Sequence, residues 1–383
     1  MHDDFDLWNE DIQQDLDPRD IQQTVTYTRA WTVQTILSQI DQNNIELNPD
    51  FQRRNAWNDD KRARLIESLI LNIPVPEIIL AERELNSKKY LVLDGKQRLQ
   101  AILGYIEPSH DLWTTPKPRD LKVETRLNKR TWSDVTSDTS ANDIVRRLMN
   151  ADIRCTVISN VKNNDILYDI FFRLNSGSVP LSSQELRHSI YHGSYSNYIS
   201  EWTSKRNSFQ TLLNIDSPDK RLRDAELLHR TILFWTMPEQ YNGNLKKFLD
   251  HGMAYFNNNW NDHADRIKGI VAEIDLACEK LLNGLGRKAG RKFSNGAWET
   301  RFNKALFEAE IYYLNFVPED LISEKAKDLE SALERLMDED GEFVQTIEST
   351  TKTVERYRTR FAKMSETIGF VFDLNNLRNP FEQ

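Results

Sequence analysis

The chain has 383 residues, a formal net charge of −9, and a composition of 39% hydrophobic and 28% charged residues. Its length exceeds one average core and predicts two domains. No run reaches the roughly 18 uncharged apolar residues of a membrane span, and the acidic balance argues against a dedicated non-specific DNA coat, which binds mainly by neutralising phosphates.

From the N-terminus, residues 1–28 combine low hydrophobicity with a series of acids (Asp3, Asp4, Asp6, Glu10, Asp11, Asp15, Asp17, Asp20). They predict a peripheral arm, opposite in charge to a signal or transit peptide. Asn48-Pro49-Asp50 leads into Phe51-Gln52-Arg53-Arg54-Asn55-Ala56-Trp57. Asn58 or Asp59 can then cap a helix with Leu65, Ile66, Leu69 and Ile70 on one face, and Ile73-Pro74-Val75-Pro76 stops it. Ile78–Ala81 and Tyr90–Leu93 read as strands around a turn at Leu85-Asn86-Ser87, and Leu99, Ile102, Leu103 and Ile106 set a following helix. That alternation describes a small α/β unit.

Residues 107–142, rich in Pro, Ser, Thr and Asp around Trp113 and Trp132, read as a long loop or insertion. A strand at 154–158, a helix at 165–174, a turn at Asn175-Ser176-Gly177-Ser178 and a capping box at Ser182-Ser183-Gln184-Glu185 follow. From Tyr195 onward the strand signals vanish. Segments 196–215, 222–236, 244–257, 262–284, 296–316 and 318–364 carry helical periodicity, with a basic, glycine-containing loop over 284–296. The second half therefore predicts an all-α bundle.

Two cysteines, Cys155 and Cys278, lie far apart without metal-site spacing, which fits a reducing cytoplasm. His188 and His192 stand i, i+4, but no Glu lies between them in the zinc-protease arrangement, so they read as two polar residues on a half-exposed helix. Basic residues cluster at Lys61-Arg62-Ala63-Arg64, from Lys117 to Arg130, at Lys220–Arg223 and at Arg287–Lys292. Solvated faces explain most such runs, and whether any converge into a groove is a tertiary question.

The most informative stretch is Asp94-Gly95-Lys96-Gln97-Arg98, where an apolar strand gives way to a helix. The helix's leading N–H groups, its positive dipole end, two cations and an acid suit a small anion, with phosphate the natural guest. A tight turn with Asp94 as cap and solvated basic residues is the alternative. Gln52/Arg53/Arg54 and Arg173/Asn175 also stand at edges of predicted elements, where ligands are usually held. Arg at 53, 98 and 173 offers planar forks for phosphate oxygens. Surface pairing of Arg53 and Arg54 with Asp59 or Asp60, and Asn175 as a helix C-cap, are the alternatives there.

Taken in order, several motifs resemble the N-terminal domain family of the GmrSD restriction endonucleases, a specificity-subunit module. They are Phe51-Gln-Arg-Arg-x-x-Trp57, Leu65-Ile-Glu-Ser-Leu69, Ile73-Pro-Val-Pro76, Asp94-Gly-Lys-Gln-Arg98-Leu99, and Phe171-Phe-Arg-Leu-Asn175-Ser-Gly177 with Leu181-Ser-x-Gln-Glu-Leu-Arg187. The likeness continues through Arg223–Arg230, Tyr241–Leu249 and Arg301–Phe307, covering roughly residues 29–310. It implies an α+β protein: a ParB/sulfiredoxin-like α/β domain over 29–194 and an all-α helical domain over 195–383, standing without the C-terminal nuclease domain of some relatives.

The resemblance also implies a nucleoside triphosphate with Mg²⁺ as ligand. Asp94, Gln97 and Arg98 would be catalytic, with Asp94 on the metal. Gln52, Arg53, Arg54, Gly95, Lys96, Arg173 and Asn175 would bind nucleotide. The family motif is usually Asp-Gly-Gln-Gln-Arg, so Lys96 is a departure that adds a charge to the first helical turn. The leading expectation is a cytoplasmic protein of a prokaryotic defence system that binds and hydrolyses nucleoside triphosphate and acts as regulator or DNA sensor. Modified DNA and a nuclease protein are the implied partners, and 318–364 could support a homodimer. A DNA- or partner-binding module that uses nucleotide only as a ligand comes second. A metal-dependent DNA nuclease ranks last, because no paired-carboxylate site is visible.

Overall fold

The computed structural model describes residues 23–47, 57–82, 87–108, 113, 116–162, 164–174, 182–215, 218–219, 221–348, 352–375 and 377–381. The acidic stretch 1–22, Gln52, Arg53, Arg54 and Asn175 lie outside the described residues. The chain divides into two compact units, with the boundary between Ile190 and Tyr191.

The first unit is built on a mixed five-stranded sheet of order β1-β5-β3-β4-β2. β1 (Val25–Thr32) runs antiparallel to β5 (Asp152–Ser159), and β5 lies parallel to β3 (Ile78–Glu82). β3 is antiparallel to β4 (Tyr90–Asp94), which pairs in parallel with the short β2 (Ile45–Glu46). Successive side chains on a strand point to opposite faces, and here both faces are covered. Ile78, Leu80, Tyr90, Val92, Ile153, Cys155 and Val157 face a cluster shared with α1 (Val33–Asp41), α2 (Asp59–Ile70), α3 (Lys96–Ile106) and α5 (Asn142–Met149). Ile79, Ala81, Leu91, Leu93 and Ile158 lie under α6 (Asn164–Leu174) and α7 (Ser183–Ile190). Coverage on both sides is why β3 and β4 read as continuous apolar runs.

The predicted loop over 107–142 is instead part of this core. Trp113, Leu121, Leu127, Val135 and Ala141 are all buried in it, and Trp113 Nε1 donates to Ala101 O at 3.0 Å. A short helix α4 (Trp132–Thr136) opens with a capping box between Thr131 and Asp134. Widely spaced apolar residues in a polar context leave no periodic signal. The same reason hides β1, whose residues are mostly exposed, and its first residues extend into the segment read from composition as an arm.

The second unit is mostly helical. α8 (Ser194–Trp202) and α9 (Ser208–Leu212) replace one predicted helix, while α10 (Arg223–Thr236), α11 (Leu245–Asn258) and α12 (Trp260–Leu285) fall close to the expected spans. Strand signals do not disappear, however. Arg291–Ser294 (β6) and Ala297–Phe302 (β7) form an antiparallel hairpin where a loop and the start of a helix were expected. Its turn is Asn295-Gly296, both at positive φ (52° and 74°), the dipeptide that closes two-residue hairpins. Beyond α13 (Lys304–Leu314), the predicted 318–364 helix is divided into α14 (Glu319–Glu324), α15 (Ala326–Glu339), α16 (Gly341–Glu348) and α17 (Val354–Phe372). Asp340 makes one break, its Oδ1 accepting from Phe343 N at 2.9 Å. Among the described residues no helix is long and apolar enough to cross a membrane.

Candidate anion site at the β4–α3 junction

The site forms where β4 passes into α3. Val92 pairs with Leu80 and Asp94 with Ile79, so Leu93 is an extra residue in the ladder. Such a bulge bends the strand and re-aims the side chains beyond it. Gly95 follows at φ 95° as the N-cap of α3. Glycine is required there twice over: the left-handed backbone favours it, and a Cβ would lie 2.9 Å from Ile78 Cγ1 and 3.2 Å from Ile78 Cα. Without a side chain it makes no cap hydrogen bond, so the leading N–H groups of α3 are left without a side-chain acceptor from their cap.

Asp94 does not cap the helix either. Its Oδ2 accepts from Arg98 Nη2 at 2.6 Å, one turn further on. Arg98 Nη2 also donates to Glu77 O at 2.9 Å, and Thr156 Oγ1 donates to Glu77 Oε2 at 2.7 Å. The Arg98 side chain is 12% exposed against 38% for Asp94. Its Nε is buried without a hydrogen-bond partner among the described residues. The alternative of an Asp-capped turn with solvated cations therefore fails on both counts: Arg98 is an internal clamp that holds Asp94.

Asp94 and Arg98 neutralise each other; the motif's second cation, Lys96, opens α3 and is partly buried. Burial pulls its ammonium down to about 7, and the Glu185 carboxylate acts in the opposite direction. Glu185 belongs to the capping box expected from sequence. Ser182 Oγ accepts from Glu185 N at 3.0 Å, and Ser182 N donates to Glu185 Oε2 at 2.6 Å. Gln97 Oε1 accepts from Trp57 N at 3.4 Å, and Lys61 Nζ sits 4.4 Å from the centroid of the Trp57 ring, a cation–π contact.

Two separated stretches, Trp57 and the 94–98 motif, thus meet at the first turn of α3, with the Glu185 carboxylate near enough to act on Lys96 electrostatically. Trp57 and Glu185 are absent from the sequence-derived site residues, although both stand inside the motifs that carry the family resemblance. Arg173 lies in the last turn of α6, 74% exposed, and pairs with the buried Asp169 at 2.8 Å. It stands outside the bonds just described.

Among the described residues no group of three or more His, Cys, Asp or Glu side chains is placed to hold a metal ion. Asp94 is a single hard oxygen ligand, a set that suits Mg²⁺ when phosphate oxygens and water complete the sphere. His188 is buried in α7 rather than half-exposed, and that helix ends at Ile190, leaving His192 outside it. Both cysteines are free and buried, and burial pushes the Cys155 thiol up to about 12, which suits packing rather than reaction.

Residues 33–192 match the family model described as GmrSD restriction endonuclease, N-terminal domain. No curated protein and no solved structure matches the chain.

Proposed function

We propose, from the premise that residues 33–192 belong to the GmrSD restriction endonuclease N-terminal domain family, that this chain is a nucleotide-binding, DNA-sensing component of a prokaryotic restriction or phage-defence system. The observation that carries the nucleotide assignment is the meeting of Trp57 with the 94–98 motif at the end of α3, whose Gly95 cap supplies no side-chain acceptor. Backbone donors, the positive end of a helix dipole and the Lys96 ammonium act together there, a combination suited to a triphosphate tail.

The residues present fit that ligand. Lys96 and the leading N–H groups of α3 would meet phosphate oxygens, and Gln97, whose Oε1 is engaged by Trp57 N, retains an amide N–H pair as donor. Asp94, held by Arg98, would take Mg²⁺ or orient a water. Arg98 is a positioning residue in this scheme, because its guanidinium is bound to Asp94 and to Glu77 O. Bound Mg²⁺ would supply charge neutralisation across the phosphates, and phosphoryl transfer needs mainly that and placement. The ParB/sulfiredoxin-like relationship of the sheet belongs to the same proposal.

Equilibrium binding of a fluorescent nucleoside triphosphate with Mg²⁺ tests the assignment. Lys96→Ala and Asp94→Asn should each weaken binding by about tenfold or more, the loss expected for one charge-assisted contact. Wild-type affinity in both variants would remove the pocket from this site. A module that binds without turnover is the second reading, favoured by Arg98 being engaged within the protein. It predicts tight binding with no phosphate released on prolonged incubation.

A further inference from the structure

We propose that α2, the 116–131 segment and α5 present one face that grips the phosphate backbone of a DNA duplex. The inference rests on the DNA-sensing part of the function above and gives it a surface.

Two of the basic runs in the sequence do converge. Glu67, three residues on from Arg64 and so on the same side of α2, accepts from Val123 N at 3.1 Å and Glu124 N at 2.9 Å. This seats Lys122 beside α2. Lys129 N donates to Pro118 O at 2.7 Å, and the Asn128 amide bridges both backbone groups of Leu121 at 3.0 and 3.1 Å. Arg119 and Lys129 therefore lie on adjacent limbs of the segment. Its inner edge is tied to α5, with Arg126 to Asp143 at 3.1 Å and Glu124 to Arg147 at 3.5 Å, next to Arg146.

Arg64, Arg119, Lys122, Lys129 and Arg146 are all exposed, and none has a carboxylate partner among the described residues. The acids nearby are engaged: Asp59 by Arg62, Glu67 by the backbone, Glu124 and Asp143 by Arg126 and Arg147, Asp138 by Arg130. Asp134 closes the Thr131 capping box. Asp60 and Asp120 are exposed acids on the same stretches. Parts of the other basic runs are ion-paired inside the second unit, where Arg223 pairs with Asp219, Lys288 with Glu330, and Lys292 with Glu299 and Glu348.

The occupant follows from what the face lacks. Protein interfaces are anchored by a buried aromatic or apolar centre, and here Val123 is the large exposed apolar residue. Spaced cations on a polar surface are what a phosphate backbone requires, and they position a duplex without reading its sequence.

A salt titration of the full chain with a short fluorescein-labelled DNA duplex tests the proposal. Arg64→Ala/Lys122→Ala/Arg146→Ala should flatten the slope of log affinity against log salt by about 3, roughly one per phosphate contact. Arg287→Ala/Arg301→Ala/Arg335→Ala, an equal loss of exposed charge in the second unit, should leave it unchanged. The face is refuted if the first triple variant binds like wild type, if the second loses as much, or if the wild-type chain binds an acidic polypeptide but no duplex at low salt. Nucleotide affinity, measured on the same variants, should not move. A Lys96→Ala variant with intact nucleotide binding would instead sink the pocket while leaving the DNA face standing.

Discussion

Lys96 is where burial and charge oppose each other most directly. Its ordinary value of 10.5 falls to about 7 in the folded chain, so between those values the unfolded state holds the proton more tightly. The Lys96 contribution to stability therefore rises with pH from about 7 to 10.5, and the penalty for burying the charge is present in full below that window. A bound phosphate favours the ammonium and must draw a proton onto it above pH 7. Triphosphate affinity should accordingly fall by up to about tenfold per pH unit above 7, and Lys96→Gln, which installs the residue usual in the family, should flatten that dependence. A calorimetric titration across buffers reads both the affinity and the proton uptake. Equal pH profiles for wild type and variant would show that Lys96 does not meet the ligand.

The elements around the site explain how short local signals hold it. Asn58 caps α2, its Oδ1 accepting from Lys61 N at 3.0 Å, with Asp59 and Asp60 in the first turn where the helix dipole favours them. Asn58→Ala should destabilise the first unit by about 1 kcal/mol, read as a lower midpoint in urea, and should loosen Trp57, which immediately precedes the cap and donates to Gln97. An unchanged midpoint would mean that packing of Leu65, Ile66, Leu69 and Ile70 alone sustains the helix. The capping box at Ser182 acts in the same way on α7 and also sets Glu185 near Lys96. Asn295-Gly296 and Asp340-Gly341 carried equally local signals for a hairpin turn and a helix break, and helical periodicity on either side obscured them.

At the scale of the molecule, both units bury apolar cores and charged side chains. The first buries both faces of its sheet in apolar side chains. The second contains charged groups deep inside: Arg230 Nη2 donates to Glu308 Oε2 at 2.9 Å and to the Tyr357 hydroxyl at 2.7 Å, and His229 bridges Tyr195 and Leu249 O. The Arg223–Arg230 stretch of the family resemblance thus supplies this interior. Glu310 is the exposed weakness of the arrangement in terms of charge, although it is itself buried. Its Oε2 accepts from Gly290 N at 2.9 Å, and its Oε1 has no partner among the described residues. Burial pushes this carboxyl up to about 8, against the pull of Gly290 N–H and Arg291. With the folded value raised above 4.5, the stability it contributes is full below that pH and is lost as pH climbs to about 8, by up to about 1.4 kcal/mol per unit. Glu310→Gln should remove that decline, so that thermal melts of wild type and variant diverge from pH 5 to 8. Parallel melting curves over that range would contradict the assignment.

Local chemistry was legible without coordinates: the Asp94–Arg98 strand-to-helix junction, the Asn58 and Ser182 caps, and the α10, α11 and α12 helices. Each depends on residues within a few positions of one another, and so does each short motif that carries the family resemblance. What only the tertiary structure decided were the partnerships across the chain. It turned Arg98 inward onto Glu77 O, brought Trp57 to Gln97, set Glu185 within electrostatic reach of Lys96, folded the 107–142 segment into the core, and set the Lys61–Arg64 and Lys117–Arg130 runs side by side. Those outcomes depend on which buried surfaces meet and which charges find partners, and contacts between residues tens of positions apart leave no periodic mark in the sequence.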